Sequence, residues 1–342
     1  MTDEFYIRRC IHLAKKALGN TYPNPMVGSV IVHNDIIIGE GYHHKAGENH
    51  AEINAIQSVK NKSLLPNSTI YVSLEPCAHY GKTPPCALKI VETGFKKVVI
   101  GAMDSHNKVN GKGKKIIQDA GIEVISGVLE KECTDLNKRF FTFHQKHRPY
   151  ILLKWAQSGD HFMDKDFKPY FISNSLVNQF VHQLRANEHS ILVGTNTALN
   201  DNPSLTVRKV VGKNPIRVLI DFDLKVATDS NIYNTDAETI IVNSVKNKVE
   251  GHLTFIQIDK ENFLPELMKT LHNMQIQSVI IEGGSYILKQ FIEAELWDEA
   301  IVIKNENLIL IHGTKAPNLN KKPSNIEIIR DNHIEFYKNS SR

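Results

Sequence analysis

Four side chains carry the first chemistry in this sequence: His50 and Glu52 flank Ala51 in "GENHAEINAI", and Cys77 and Cys86 close the two ends of "CAHYGKTPPC". One imidazole and two thiolates suit zinc, and a three-ligand set leaves the fourth position open to water, as in catalytic sites. Glu52, two residues from His50, would stand beside that water without ligating the metal, take its proton and return it to a leaving amine. The chemistry is hydrolytic deamination. Thr83 is available as an N-cap ahead of Pro84 and Pro85, which would put Cys86 in the positive end of a helix dipole and favour its ionised form. Taken singly, His-x-Glu is commonly a solvated helix start and a pair of cysteines commonly two buried thiols. Their joint appearance with this strand and helix context favours the metal.

Bulk properties exclude several other classes. A chain of 342 residues suggests two domains of ordinary size, and 41% hydrophobic with 23% charged residues is the composition of a soluble globular protein. No stretch approaches the roughly 20 apolar residues of a membrane span. The start "MTDEFYIRRC" is acidic and has no apolar run leading to a small-residue cleavage site, so a cytoplasmic protein is expected. Four cysteines are too few for a disulfide scaffold. Cys10 and Cys133 have no ligand partners near them in sequence and read as core or surface thiols. The net charge of +4 is spread over both halves without a block of like charge, which slightly favours phosphorylated small molecules and argues nothing for DNA.

The elements that must position these residues follow from periodicity. "EFYIRRCIHLAKKAL" reads as a helix stopped by Gly19, and "VGSVIVHNDIIIGEGY" as a hairpin turning at Asn34 and Asp35. A helix from about Ala51 to Val59, the strand "TIYVSL", a helix after "TPPC" closed by Gly94, the strand "KKVVIGA" and the helix "GKKIIQDAG" complete an α/β layer ending near Phe143. "FHQKHRPYILLKWA" is polar and then restarts as a strand, with Pro149 at the boundary. The second half again alternates. It has strands at "SILVG", "IRVLID", "TIIVN", "LTFIQI", "QSVIIEGG" and "WDEAIVIK", and helices at "SLVNQFVHQLRAN", "FLPELMKTLHNM" and "SYILKQFIEAEL". The expected domains are 1–146 and 147–342.

His-x-Glu followed by Pro-Cys matches the zinc-deaminase pattern, here with a longer loop before the second cysteine. That loop carries His79, Lys82 and Thr83, which could meet a base edge and a phosphate. With "YPNPMVGSVIV", "GEGYHHKAG", "LEPCAHYGKTPPC" and "MDSHNKVNGKG", the first half resembles the bifunctional riboflavin-biosynthesis enzymes, in which a diaminohydroxyphosphoribosylaminopyrimidine deaminase is joined to a 5-amino-6-(5-phosphoribosylamino)uracil reductase. The resemblance implies a cytidine-deaminase-like three-layer domain with one zinc. It implies that Asn24, His43, His79, Lys82, Thr83 and Asp104, with Glu52, line the pyrimidine and ribose-phosphate pocket. Asn49 stands where that family usually has proline, and "DSHN" replaces "DPNP", which leaves the substrate contact open between His106 and Asn107.

Read from residues alone, the second half offers Glu282, Gly283 and Gly284 between a strand and a helix, where glycines let backbone amides approach a phosphate, although a bare Gly-Gly is commonly an ordinary turn. Arg185 and Arg208 singly read as solvated and together could clamp a phosphate. "LLKWAQSGD", "FISN", "LRANEHSILVGTNTALNDNPSLTVR", "PIRVLID" and "VIIEGGSYIL" resemble the reductase half of the same family. This implies a dihydrofolate-reductase-like fold and NADPH. Lys154, Arg185, Asn202, Leu205, Arg208 and Glu282 would then face the substrate, and Ala156, Phe171, Thr197, Asp201, Gly284 and Ser285 the cofactor. "SGDHFMD" departs from the common "SLDG", Phe171 from tryptophan and Phe222 from serine. The expected partner is a small phosphorylated pyrimidine, with no nucleic acid or membrane, and a homo-oligomer left open. The alternatives are a zinc deaminase of nucleic-acid bases with a binding module behind it, which lacks a basic, aromatic-rich groove, and a second half retained only for assembly.

Overall fold

Val30 and Val32 turn to one face of their strand and Ile31 to the other, and the same alternation sets Tyr71 and Val99 against Ile70, Val72, Val98 and Ile100. This sheet belongs to the first of two units, Met1–His147 and Arg148–Arg342, of a computed structural model that describes residues 1–80, 84–104 and 111–339. The chain begins with α1 (Asp3–Lys15), where Thr2 accepts from the Phe5 N–H and Asp3 and Glu4 occupy the first turn. Then come β1 (Gly28–His33), β2 (Ile36–Tyr42), α2 (Ala51–Ser58), β3 (Thr69–Leu74), α3 (Cys86–Thr93), β4 (Lys97–Ala102), α4 (Lys112–Asp119), β5 (Glu123–Ser126), α5 (Glu130–Leu136) and α6 (Lys138–Lys146). The five strands lie in the order β2-β1-β3-β4-β5, with β3, β4 and β5 parallel. Asn34 and Asp35 both have positive φ, as a two-residue hairpin turn requires.

Helices cover both faces. Tyr6, Ile7 and Cys10 of α1, with Cys133, Leu136, Phe140 and Phe141 of α5 and α6, pack on one side; Ala55, Ile56, Ala87, Ile90 and Ile117 of α2, α3 and α4 pack on the other. The result is three layers, and Cys10 and Cys133 are core thiols. Gly41 lets α2 lie close against β2, because a Cβ there would stand 2.3 Å from the Ala55 nitrogen. Gly41→Ala is expected to destabilise this unit by ~1–3 kcal/mol, which thermal unfolding followed by circular dichroism reads directly. An unchanged transition would mean that α2 can shift outwards at no cost.

Two details differ from expectation. The α/β layer runs past Phe143: the polar "FHQK" is the last turn of α6, whose Phe140, Phe141 and Phe143 are buried while Gln145 and Lys146 face solvent. The N-cap of α3 is Pro85 rather than Thr83, and the helix starts at Cys86. Pro85 disfavours helical backbone at the residue before it, so the helix forms only past the second proline. Thr83 itself lies outside the described residues.

The second unit contains β6 (Tyr150–Ser158), α7 (Ser175–Asn187), β7 (Ser190–Gly194), α8 (Thr195–Asp201), β8 (Ile216–Ile220), β9 (Thr239–Asn243), β10 (Lys248–Glu250) and β11 (Leu253–Gln257). It continues with α9 (Phe263–Asn273), β12 (Ser278–Ile281), α10 (Ser285–Glu293), β13 (Glu299–Asn305), β14 (Asn325–Ile329) and β15 (Asn332–Lys338). The strand order is β10-β11-β9-β8-β7-β12-β6-β13-β15-β14. From β11 to β13 the strands are parallel, and β10, β15 and β14 are antiparallel. One core lies beneath α9 and α10, around Leu267, Leu271, Leu288 and Phe291, and the other beneath α7, around Val177 and Val181. Arg148 grips Asp298 with two hydrogen bonds of 2.6 and 2.8 Å, and Asp298 also accepts from the Ile151 N–H, fixing the start of β6.

Candidate active sites

The three expected ligands come from three element ends. His50 is the N-cap residue of α2, Cys77 follows β3 by three residues, and Cys86 opens α3. Among the described residues their donor atoms form the one such group, all within 4.8 Å of one another. His50 Nδ1 stands 3.5 Å from Cys77 Sγ and 3.3 Å from Cys86 Sγ. A tetrahedral zinc with arms of about 2.0 and 2.3 Å sets neighbouring nitrogen and sulfur ligands about 3.5 Å apart, so the donor set fits that ion. The Cys86 thiol and N–H both donate to Cys77 Sγ, holding Cys77 down to about 4 as a thiolate. The same pairing, with burial, pushes the Cys86 thiol well up. Its hydrogen bond to Cys77 raises His50 to about 9.

Glu52 is 3% exposed, and that burial pushes its carboxyl up to about 7, against the pull of His50. A carboxyl poised there can accept and release a proton near neutrality. Beside His50, the buried His43 ring stands edge-on at 5.4 Å between centroids. His43 Nδ1 faces the Asn49 carbonyl at 3.0 Å and must donate to it, so Nε2 accepts from Asn24 Nδ2 at 3.0 Å. Burial lowers the His43 pKa, which keeps this neutral tautomer. Asp104 is buried after β4 and His79 is exposed in the ligand loop. Lys82, Thr83, His106 and Asn107 lie outside the described residues.

Two cavities open at the C-terminal ends of the parallel strands in the second unit. One, of about 790 Å³, is lined by Gly194, Thr197, Asp201, Glu282, Gly284 and Ser285, with Phe222 and Lys260 further along. The other, of about 270 Å³, is lined by Lys154, Ala156, Phe171, Arg185, Leu205 and Glu282, and it shares Thr197, Asp201 and Glu282 with the first. The two sets expected from sequence are therefore brought together, with exceptions. Ala156 and Phe171 border the smaller cavity rather than the larger. Asn202 and Arg208 line neither: Asn202 ends α8 and accepts from the Asn231 N–H, while Arg208 donates to Thr206 Oγ1. Asn202 takes a left-handed conformation to close α8, and that spends its side chain on the backbone.

At the smaller cavity Glu282 is paired with two cations. Its Oε2 accepts from Arg185 at 2.9 Å and its Oε1 lies 3.6 Å from Lys154 Nζ. Burial would raise its pKa, but the two cations outweigh burial and hold it at about 2. Arg185 Nε has no hydrogen-bond partner among the described residues, although it is buried. An orphaned donor of this kind fits an anionic ligand. The larger cavity fits a dinucleotide in its chemistry: Gly284, the N-cap residue of α10, gives that helix no side-chain cap and lies beside Thr197 of α8.

Residues 1–102 match the cytidine and deoxycytidylate deaminase zinc-binding region, and residues 149–305 match the RibD C-terminal domain. The riboflavin biosynthesis protein RibD of Aquifex aeolicus is 38% identical over 307 residues, covering 88% of this chain and 86% of that protein. That of Actinobacillus pleuropneumoniae is 40% identical over 297 residues, covering 83% and 78%. The chain belongs to the RibD family. The crystal structure of a diaminohydroxyphosphoribosylaminopyrimidine deaminase/5-amino-6-(5-phosphoribosylamino)uracil reductase from Thermotoga maritima superposes with a TM-score of 0.90 at 33% identity, over 98% of both chains. Acinetobacter baumannii RibD superposes at 0.87, with 30% identity, over 98% of both. As a RibD protein the chain is a bifunctional deaminase and reductase of riboflavin biosynthesis, with a cytidine-deaminase-like unit and a dihydrofolate-reductase-like unit.

The departures seen in this RibD sequence have physical readings. Gly159 sits where a Cβ would be 2.5 Å from the Glu306 carbonyl, so the turn after β6 is too close for a side chain. Phe222 lines the larger cavity edge-on to Phe263, at 5.4 Å between centroids. Phe171 is 93% exposed beside the smaller cavity. One buried carboxylate beside the ligand turn went unread in the sequence. Glu75, in "LEPC", is buried and accepts from the N–H groups of Asp104, Gly111 and Lys114. Its signal was a carboxylate just past a strand end, two residues before a proposed ligand.

Proposed function

We propose that the first unit deaminates 2,5-diamino-6-(5-phosphoribosylamino)pyrimidin-4(3H)-one and that the second then reduces the product's ribosyl group to ribityl with NADPH. The observation that carries the reading is the convergence of His50, Cys77 and Cys86 beside a buried Glu52 with a pKa of about 7. His50, Cys77 and Cys86 would hold one zinc, which when bound supplies a Lewis acid and a nucleophilic water at neutral pH. Glu52 takes the proton of the attacking water as its oxygen bonds to the ring carbon. It returns that proton to the amine as the carbon–nitrogen bond breaks and ammonia leaves. Asn24, oriented through His43, and Asp104 orient the pyrimidine, with His79 at the rim of the loop; Lys82 and Thr83 are assigned there by family resemblance alone.

The reduction adds hydride to C1′, breaks the C1′–O4′ bond and protonates O4′. NADPH supplies the hydride. Thr197, Asp201, Gly284 and Ser285 would line its cavity, with Ala156 and Phe171 at the border. Lys154, Arg185, Leu205 and Glu282 would hold the substrate, and the pKa of Lys154, lowered by burial, suits it to give up a proton. Among the described residues no helix is long and apolar enough to cross a membrane, and we read the enzyme as cytoplasmic.

A coupled assay tests both halves: ammonia release from the diaminopyrimidinone phosphate, followed by NADPH oxidation. Chelation should abolish ammonia release and spare NADPH oxidation on pre-deaminated substrate, and metal analysis should find about one zinc per chain. Full deamination by a zinc-free chain would sink the assignment.

A further inference from the structure

Glu75 lies one residue past the end of β3 and two before Cys77, and it is 4% exposed. Its own N–H donates to the Ala102 carbonyl, extending the pairing of β3 with β4 by one step. Its carboxylate then leaves the sheet. Oε2 accepts from the N–H of Asp104 at 3.3 Å and of Gly111 at 3.0 Å, and Oε1 accepts from the N–H of Lys114 at 3.0 Å. Gly111 is the N-cap residue of α4, has positive φ and gives that helix no side-chain cap. Lys114 is the third residue of the helix, whose N–H a capping side chain would ordinarily take. Glu75 thus caps α4 from another element, and its negative charge suits the positive end of the helix.

The packing keeps this arrangement close. A Cβ on Gly113 would stand 1.9 Å from the Pro76 carbonyl and 3.3 Å from Glu75 Oε1, so α4 can reach the 75–77 turn only with glycine at 113. One carboxylate consequently ties together the turn leading to Cys77, the backbone of Asp104 and the first turn of α4.

We propose that Glu75 is a positioning residue of the deaminase: it sets the place of Asp104 relative to the Cys77 turn, and so governs substrate binding rather than the chemical step. The proposal rests on the assignment of Asp104 to the substrate pocket. Glu75→Gln keeps the size of the side chain but turns an amide donor towards backbone donors, removing at least one charge-assisted hydrogen bond. Losses of that kind amount to roughly one to two orders of magnitude.

The test is deaminase kinetics with zinc analysis on the full chain. In Glu75→Gln the expected result is a KM for the diaminopyrimidinone phosphate raised by about tenfold or more. The kcat should stay within about twofold, with zinc content and NADPH oxidation on pre-deaminated substrate unchanged. Combined with Asp104→Asn, the two KM effects should be less than additive. An unchanged KM, a parallel loss of zinc and kcat, or full additivity would overturn the proposal. Asp104→Asn alone separates the two claims: if it leaves KM unaltered, the pocket assignment of Asp104 is wrong. Should Glu75→Gln fail to fold, Glu75→Asp keeps the charge and both oxygens while retracting them by one methylene. It should raise KM in the same direction, by less, and an unchanged KM there would also overturn the proposal.

Discussion

Glu52→Gln is expected to lower deaminase kcat by about 100- to 10,000-fold, the usual worth of a positioned general acid–base group. Glutamine fills the same buried space and can still accept a hydrogen bond, but it cannot carry a proton between water and amine. Because Glu52 lies outside the group formed by His50, Cys77 and Cys86, zinc content should remain at about one per chain. NADPH oxidation on pre-deaminated substrate should proceed at the wild-type rate, since the cavities that would serve it are in the second unit. Single-turnover ammonia release, metal analysis and the separate reductase assay check the three statements. A fall in kcat below tenfold would remove Glu52 from the proton path, and loss of zinc would make it a ligand.

In the second unit the largest effect is expected from Glu282→Ala. Lys154, Arg185 and Glu282 are all largely buried, with the carboxylate between two cations. Removing it leaves two like charges in a desolvated place, which should cost about 3–5 kcal/mol of stability together with reductase activity. Urea unfolding of the full chain, read on the transition of the second unit, measures this; a cost under ~1 kcal/mol would show that water reaches the pair and screens it. The pH dependence has a definite sign. The Glu282 pKa is held at about 2, below its ordinary value of 4.5. Its contribution, on the order of 3 kcal/mol, is therefore present above about 4.5 and disappears as the pH falls towards 2. Glu282→Ala should lose that part of the acid sensitivity.

Much of this was legible in the sequence because the ligand types and the strand and helix periods are local signals. His50, Glu52, Cys77 and Cys86 could be grouped before any fold was known, since few chemistries ask for an imidazole, two thiols and a carboxylate together. The apolar runs in "GSVIVH" and "TIYVSL", set between helical periods, were enough to read strands of an α/β layer. What stayed hidden depended on partners distant in the chain. Glu75 acquires its role from the N–H groups of residues 104, 111 and 114, which no spacing rule connects to it. The helix α8, "TNTALND", is short and polar, and it takes its place from the cavity wall rather than from an apolar stripe. Family resemblance places Asn202 and Arg208 with the substrate contacts; that the left-handed turn at Asn202 brings its side chain to the Asn231 N–H could not be read from the sequence.

The bond from His43 to position 49 also bears on how freely this protein can vary. His43 is held by the carbonyl of Asn49, not by its side chain, which reaches Gln57 at 3.4 Å. Asparagine and the proline expected there by resemblance both present a backbone oxygen, since proline gives up its N–H and fixes φ but keeps its carbonyl. The anchor for Asn24 and His43 is thus written in the course of the main chain, and the departure to asparagine at position 49 leaves it in place.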